Sequence, residues 1–464
     1  MISDMIIDIK TENMCKLTKS QKKRRFTMKG KKVLSGLLAG AMLVGAVSMP
    51  VTASAAEEEI TITMVESLTS PERTELLRSM ADKYEELNPN TKINIISPAQ
   101  ESADSKIAQM LSGGDAVDII EIRDHTLRTY VTNGWLVNLQ DYIDAWDEKD
   151  TLSGAANAAM VICDDEPYYM PFGFYERAVF IRQDIFEEAG IEYPTTWREL
   201  IDAATQLTDS ASSKYGFSFR GVSGCYENMN LMIYAAVGHD KIISDNAGYF
   251  IDDEGTTIFT LPEAKAAVED FKELFQNASP ADSIAWGFSE QVQGFISGTA
   301  AILLQDSDAV PTMVSDLEDD QWDVIPLPAG DAGDVCLPNG YGGWGLTTNS
   351  EHPDEAADFI MFLSSAENNT EFAAQNGTLP IHTTAFESSD YFQGDEYQTY
   401  LKYAEDDTYH FVYPCMDYEA YATYKSEVDT VLQKYLSDEI SADDLLGWLD
   451  EFWTEAFEAE GKIW

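Results

Sequence analysis

The stretch "EITITMV", residues 59–65, alternates polar and apolar side chains as a half-buried β-strand does. A helix is predicted to begin after Ser70, and the strand "TKINII" follows at 91–96. A second helix is expected over about 103–111, and the buried strand "VDIIEI" at 117–122 completes the unit. Strands that alternate with helices in this way predict an α/β fold with a parallel, doubly wound sheet.

The same alternation returns further along the chain. Thr196 and Glu199 form the sequence signature of a capping box, and Ser441 with Asp444 forms another before the last helix. The segments that carry the second alternation are "RAVFIRQDIF" (177–186), "WRELIDAATQL" (197–207), "KYGFSF" (214–219), "PEAKAAVEDFKELFQ" (262–276) and "AAILLQ" (300–305), with helices over 424–436 and 441–460 at the end. The sequence therefore predicts two α/β lobes.

The N-terminal 56 residues have the order of a secretory signal peptide. Two basic clusters within 22–32 precede the apolar run "VLSGLLAGAMLVGAVSM" at 33–49, and small residues follow it. Cleavage is expected near Ala55 and Ala56, with either Met1 or Met28 as the initiator. An uncleaved membrane anchor is the alternative, although the run is short for a span. The chain is thus expected to be exported.

The mature chain is strongly acidic. Of 464 residues, 30 are basic and 81 acidic; removal of 1–56 takes away ten basic and three acidic side chains and leaves a formal charge of −58. Such a charge disfavours nucleic acid or an anionic membrane as a partner. It is also typical of the solvated surface of an exported protein.

The cysteine pattern predicts neither a metal site nor a lipid anchor. Cys15 precedes the cleavage site, and no C-x-x-C pair occurs. No lipobox cysteine follows the apolar run, so the means of retention at the cell surface stays open. Two disulfides and isolated buried thiols are both compatible with the spacing of Cys163, Cys225, Cys336 and Cys415.

Four segments, in order, carry a family resemblance. They are "GDAVDIIEIRDHTLRTYVTNGWLVNLQDYI" (114–143), "PYYMPFGFYERAVFIRQDIFEEAGIEYPTTWRELIDAATQLT" (167–208), "FISGTAAILLQDSDAV" (295–310) and "GGWGLTTNSEHPDEAADFIMFLSS" (342–365). With these segments the mature chain resembles the family 1 extracellular solute-binding proteins of ABC sugar importers, the group of maltose-binding protein. The resemblance implies a monomeric, two-lobed binding protein that holds a carbohydrate, most simply an oligosaccharide, and delivers it to a membrane permease.

The resemblance also implies how the chain divides. A leader of 1–56 precedes the mature protein, and the chain is expected to cross between lobes three times, near 172–174, 322–324 and 346–348. The N-terminal lobe then comprises 57–172 plus 324–347, and the C-terminal lobe comprises 173–323 plus 348–464.

The glycine-rich stretch "PNGYGGWGL" at 338–346 is the first candidate for ligand contact. Tyr341 and Trp344 stand among four glycines, which allow close backbone approach and give the rings little local support. On the resemblance, Trp344 is expected to stack on a sugar ring at the cleft floor. A core position at the junction of the lobes is the alternative.

Further candidates follow from strand ends and loops. Asp306 and Asp308 end a buried strand and could accept hydrogen bonds from vicinal hydroxyls, or cap a helix instead. Arg123, Asp124 and His125 follow the third strand, at the edge where open α/β sheets bind ligands. The remaining candidates are Tyr175 and Glu176 at the first crossing, Trp286 in a loop, Tyr226, Glu227 and Asn228 in a loop after "GFSFR", and one of Tyr413, Tyr418 and Tyr421 as a roof.

Two other classes of function compete with a transport protein. Exported acidic chains are often glycoside hydrolases, which need only two suitably spaced carboxylates. The sequence contains no G-x-S-x-G or H-E-x-x-H motif, and its five histidines form no close pair along the chain. A surface adhesin or sugar sensor with the same cleft is the other alternative. Binding without chemistry, with no cofactor, metal or catalytic residue, is the prediction that the sequence favours.

Overall fold

The computed structural model describes residues 59–460 apart from 100–101, 245–246, 332, 334, 338–339 and 406–407. The predicted leader, its cleavage site and the alternative membrane anchor lie outside these residues. Among the described residues, no helix combines the length and apolar composition that crossing a bilayer requires.

Strands and helices alternate along most of the described chain. The strands are β1 (Ile60–Val65), β2 (Thr91–Ile96), β3 (Ile119–Arg123), β4 (Met170–Tyr175), β5 (Arg177–Ile181), β6 (Tyr215–Ser218), β7 (Ala300–Asp306), β8 (Asp323–Ile325), β9 (Val335–Leu337), β10 (Gly340–Leu346) and β11 (Tyr409–Phe411). The helices are α1 (Pro71–Leu87), α2 (Ala103–Gly113), α3 (Asp124–Thr132), α4 (Gln140–Ala145), α5 (Gly154–Met160), α6 (Gln183–Ala189), α7 (Trp197–Leu207), α8 (Cys225–Val237), α9 (Pro262–Ala278), α10 (Phe288–Ile296), α11 (Val310–Asp316), α12 (Pro353–Leu363), α13 (Ala366–Asn376), α14 (Ala385–Ser388), α15 (Gln398–Glu405), α16 (Tyr421–Leu436) and α17 (Ala442–Glu460).

These strands form two main sheets, in agreement with the two α/β lobes predicted from the sequence. The first has the order β2-β1-β3-β10-β4 and the second the order β6-β7-β5-β8, while β9 and β11 pair separately. Each sheet is mixed rather than purely parallel, because β10 runs antiparallel to β3 and β4, and β5 runs antiparallel to β7 and β8. The chain passes from the first sheet to the second through the single residue Glu176, between β4 and β5.

Local sequence signals correctly predicted where several helices begin. The Ser70 hydroxyl accepts a hydrogen bond from the Arg73 amide at the start of α1. Thr196 and Glu199 form the predicted capping box of α7, and Ser441 bonds Asp444 in both directions before α17. Caps of this kind depend on a few neighbouring residues, which explains why the sequence alone revealed them.

Two helices after β10 pack on the first sheet. The Tyr84 hydroxyl of α1 donates to Asp358 of α12 at 2.8 Å, and Asn369 of α13 donates to the Phe172 carbonyl of β4 at 2.8 Å. The boundaries predicted from the sequence group these helices with the second lobe. The structure differs there because the chain stays on the first sheet beyond residue 348, where its apolar faces cover β4 and β10.

Candidate functional site

A cleft of about 680 Å³ lies between the two sheets. It lies at the carboxyl ends of β3, β4, β6 and β7 and at the amino ends of the antiparallel strands β5 and β10, which is the edge where α/β sheets bind ligands. The lining side chains that carry polar or aromatic groups are Thr69, Ser70, Arg73, Arg123, Asp124, His125, Tyr175, Arg177, Arg220, Tyr226, Glu227, Asn230, Phe288, Ser289, Asp306, Asp308, Tyr341, Asn376, Tyr421 and Lys425.

Arg177, the first residue of β5, organises the wall formed by the second sheet. Its side chain is only 3% exposed, and Nη1 donates to Asn228 Oδ1 at 2.6 Å. Nη2 binds Glu227, and Nε lies 3.2 Å from Asp306 Oδ1. Burial alone would raise the pKa of Glu227, yet the pKa is lowered, chiefly by Arg177. A buried cation thus holds two carboxylates in place at the cleft.

Asp308 lacks the partner that its neighbour has. Its Oδ1 atom is buried and accepts no hydrogen bond from the described residues. Burial, followed by the charge of Asp306, raises the pKa of Asp308 to about 7. The pKa of Asp306 is also raised, by burial first and despite Arg177. Two carboxyl groups two residues apart therefore differ in their bonding, and Asp308 is open to a ligand.

A second charged cluster forms the wall of the first sheet. His125 places Nδ1 2.9 Å from Asp124 Oδ1 and Nε2 2.9 Å from Asp104 Oδ2. Arg123 binds the same Asp104 carboxylate, and Lys425 of α16 lies 3.4 Å from Asp124. Burial opposes ionisation of Asp124, but Lys425 and then His125 hold its pKa well below the usual range. This cluster joins α3 of the first sheet to α16 across the cleft.

Trp344 is a core residue, and its prediction as a stacking platform is wrong. The ring is 1% exposed, and its centroid lies 4.9 Å from that of Phe172 and 5.8 Å from that of Phe372. The Arg73 guanidinium lies 5.8 Å from the Trp344 ring and separates it from the cleft. The side chain of Phe372, 28 residues further along, supplies the support that the surrounding glycines do not.

Most of the other predicted residues do reach the cleft. Those that line it are Tyr341, Tyr175, Asp306, Asp308, Arg123, Asp124, His125, Tyr226 and Glu227, together with Tyr421 among the three candidate roof tyrosines. Tyr341 is 3% exposed, and its hydroxyl has no hydrogen-bond partner among the described residues.

Three further candidates lie outside the cleft lining. Glu176 is buried at the crossing between β4 and β5. Asn228 is buried and accepts its hydrogen bond from Arg177, so it acts behind the cleft surface. Trp286 packs over α10, where a Cβ built on Gly294 would lie 2.8 Å from its Cζ3 atom. These three residues therefore lie behind or beside the cleft lining and do not form part of it.

The segment 226–228 is helical rather than a loop. It forms the first turn of α8, whose Tyr226 amide donates to Asp429 Oδ1 at 3.0 Å. The helix begins after Gly224, which has a φ of 117°, a conformation that suits glycine. Asp429 of α16 thus accepts hydrogen bonds from backbone amides at the start of α8. Because this partner lies far along the chain, the sequence did not reveal where the helix begins.

Sequence inspection also missed several cleft residues. Arg73 lies on the buried face of α1 together with Leu76 and Met80, and a charge on an apolar helix face is the signal that could have revealed it. The other cleft residues that sequence inspection did not single out include Arg177, Arg220, Phe288, Asn376 and Lys425.

The four described cysteines are buried free thiols, which settles the open alternative against disulfides. Cys163 lies near Asp164 and Asp417, a set that could ligate a metal. Arg128 Nη1 already contacts all three, at 3.5, 2.6 and 3.3 Å, respectively. Burial raises the pKa of the Cys163 thiol to about 12, so the cluster is an arginine-centred ion pair.

Residues 70–370 match the model of a family described as bacterial extracellular solute-binding protein. The chain belongs to this family. Its members are binding proteins, so family membership sets aside the glycoside hydrolase alternative. The matched segment includes every strand of the two main sheets except β1, and it includes most of the cleft residues.

Solved structures of such proteins share the fold. An ABC substrate-binding protein of Listeria monocytogenes in complex with cycloalternan has a TM-score of 0.72 at 20% identity, covering 87% of this chain and 100% of that one. Maltose-bound MalE3 of T. maritima has a TM-score of 0.71 at 17% identity, covering 85% and 99%. In sequence, the Escherichia coli K12 protein YcjN, provisionally named an ABC transporter periplasmic-binding protein, is 20% identical over 335 residues, or 70% of this chain and 73% of YcjN.

Proposed function

We propose that this protein binds a carbohydrate, most simply an oligosaccharide, in the cleft and delivers it as a monomer to the permease of an ABC importer. One observation carries the proposal. Five buried polar atoms on cleft-lining residues have no partner among the described residues: Arg123 Nε, Asn230 Oδ1, Asp308 Oδ1, Tyr341 Oη and Asn376 Nδ2. Buried polar groups are normally satisfied, so these atoms indicate a ligand that supplies hydroxyl groups.

The shape and chemistry of the cleft suit that ligand. Its volume of about 680 Å³ lies within the range of small-molecule sites. Tyr175 and Phe288 are the partly exposed aromatic rings of the lining, while both sheets offer charged side chains that are already fixed by ion pairs. A ligand that contacts both walls favours the closed state, because only that state makes both sets of contacts. Similar folds in complex with cycloalternan and with maltose support a carbohydrate.

Calorimetric titration with maltose, maltotriose, cellobiose, cycloalternan and D-mannitol tests the proposal. At least one of these should bind with a stoichiometry of one, decrease the radius of gyration in X-ray scattering and stay intact by chromatography. Asp308→Asn should weaken that binding, whereas the exposed matched control Asp320→Asn should not. Absence of binding by the whole panel, or appearance of shorter products, would contradict the proposal.

We also propose that the leader is removed near Ala55 and Ala56 and that no lipid is added. The order of basic, apolar and small residues supports this processing. Intact mass of the exported protein should correspond to a chain that begins near residue 56 or 57. A retained 33–49 segment or an acyl increment in the mass would refute it.

Loss of sugar uptake on deletion of the gene separates an importer component from an adhesin or sensor.

A further inference from the structure

Arg73 makes a set of contacts that leaves its guanidinium no freedom. Nη2 donates to Glu121 Oε1 at 2.7 Å, and Nη1 donates to Glu66 Oε2 at 3.2 Å. The rings of Phe172, Trp344 and Phe372 surround it, with centroids 5.4, 5.8 and 5.5 Å from Cζ. The third nitrogen, Nε, donates to Asn376 Oδ1 at 3.0 Å. A fixed cation therefore holds one end of an amide group at the cleft.

This contact determines which way the Asn376 amide faces. An arginine N–H can only donate, so the amide oxygen must face Nε and the amide nitrogen must face away. The nitrogen Nδ2 is buried and makes no well-formed hydrogen bond with the described residues. The Tyr175 hydroxyl lies beside it: burial raises the pKa of that phenol, while Arg73 and the Asn376 amide act to lower it. The Asn376 amide has two N–H groups and the Tyr175 hydroxyl can accept from only one of them, so a donor is left for a ligand at one corner of the cleft.

The unpartnered acceptor of Asp308 lies at the same corner. The residue after Asn376 is Gly377, and a Cβ built there would lie 2.8 Å from Asp308 Cα. The Ser307 hydroxyl donates to the Gly377 carbonyl at 3.2 Å, which ties the two backbone segments together. One segment ends α13 on the first sheet and the other follows β7 in the second. A free donor and a free acceptor therefore come from opposite sides of the cleft.

We infer that Arg73 is a positioning residue, which holds Asn376 so that its amide nitrogen and the Asp308 carboxyl group together bind one uncharged hydroxyl of the ligand. The inference rests on the proposed function and deepens it. The hydroxyl oxygen accepts a hydrogen bond from Nδ2 while its O–H donates one to the Asp308 carboxyl group, so one hydroxyl satisfies both atoms. A carboxylate or phosphate would meet Asp308 with like charge, and an ammonium would leave the amide donor unsatisfied.

A double-mutant cycle tests this role. Wild type, Arg73→Lys, Asn376→Ala and the double variant are titrated with maltose, maltotriose, cellobiose, cycloalternan and D-mannitol, and each is melted without ligand. Lysine keeps a charge for Glu66 and Glu121 but lacks the planar group that binds the amide. Each single variant should weaken binding about three- to tenfold, the range expected for one hydrogen bond, and the double variant should be no weaker than Asn376→Ala. The control Arg78→Lys changes an arginine on the same helix that contacts Asp82 and Glu85 and should bind as wild type does.

The outcomes separate the inference from the proposed function. If Arg73→Lys lowers only the melting temperature, or if the two losses of affinity simply add, Arg73 is structural and the inference is wrong. Should Arg73→Lys fail to fold, Asn376→Asp decides, because it keeps an acceptor for Arg73 and removes the donor; undiminished binding by that variant overturns the inference. If wild type binds none of the five ligands, the proposed function fails, and the inference fails with it.

Discussion

Truncation of Trp344 to alanine should destabilise the fold and leave ligand binding nearly intact. The indole is 1% exposed and packs against Phe172 and Phe372, so its removal leaves a cavity behind Arg73. Large aromatic to alanine changes in cores lower the free energy of unfolding by about 3 to 5 kcal/mol. At roughly 2.1 cal/mol/K of unfolding entropy per residue, the mature chain, which is the 464 residues less the leader of 56, should lose about 4 to 6 °C of melting temperature.

Calorimetric melting without ligand measures the loss, and titration well below the melting temperature measures affinity. Glu66 and Glu121 still hold Arg73 in the variant, so the affinity for ligand should fall less than about threefold. A change of that size is smaller than the loss expected for one typical hydrogen bond. The matched control is Trp286→Ala, a half-buried indole in a loop, which should lower the melting temperature less. An unchanged melting temperature together with a large loss of affinity would show that Trp344 contacts the ligand, and it would refute the assignment of Trp344 to the core.

Three further predictions concern charge and backbone. The pKa of Asp308 is raised to about 7 in the folded protein, whereas an aspartate in the unfolded chain ionises at about 3.9. The melting temperature should therefore fall as the pH rises between these two values, because ionisation favours the unfolded chain. Asp308→Asn should abolish that part of the fall. Lys425 lowers the pKa of Asp124, so Asp124 stabilises the fold above its unfolded pKa; Lys425→Gln should melt lower than wild type at pH 6, with the difference shrinking as acid protonates Asp124 in both proteins. Gly343→Ala should destabilise, because the new Cβ would lie 2.4 Å from the Met170 carbonyl oxygen, whereas Gly447→Ala, on a helix position with nothing within 4 Å, should stabilise by about 1 kcal/mol; equal shifts in the two melts would contradict this.

The sequence predicted best what depends on short-range signals. Caps at Ser70, Thr196 and Ser441 define helix starts within four residues, and strand periodicity located both sheets. The rule that open α/β sheets bind ligands at the carboxyl ends of their strands selected Arg123 to His125, and it needs only the position of β3. Asp306 and Asp308 were selected because they are carboxylates at the end of a strand, which can accept hydrogen bonds from hydroxyls.

The errors arose where distant residues decide the outcome. Trp344 was interpreted from its glycine neighbours, but Phe372 and Arg73 determine its burial. The pairs Asp124–Lys425 and Arg73–Asn376 join residues about 300 positions apart, and no local pattern in one sequence specifies such partners. Packing of this kind depends on how segments that are far apart in the chain come together in the fold.

The charges of the cleft differ in kind from those of the rest of the molecule. The mature chain has a formal charge of −58, yet five basic and four acidic side chains line the cleft. Four of those five, Arg73, Arg123, Arg177 and Lys425, pair with carboxylates, so they serve mainly to fix acceptors and amides in position. A surface field of this sign repels anionic sugars and leaves neutral ones unaffected. Fixed dipoles inside a nearly neutral cleft then suit an uncharged polyhydroxyl ligand, because its hydroxyls can satisfy donors and acceptors that already hold their final positions.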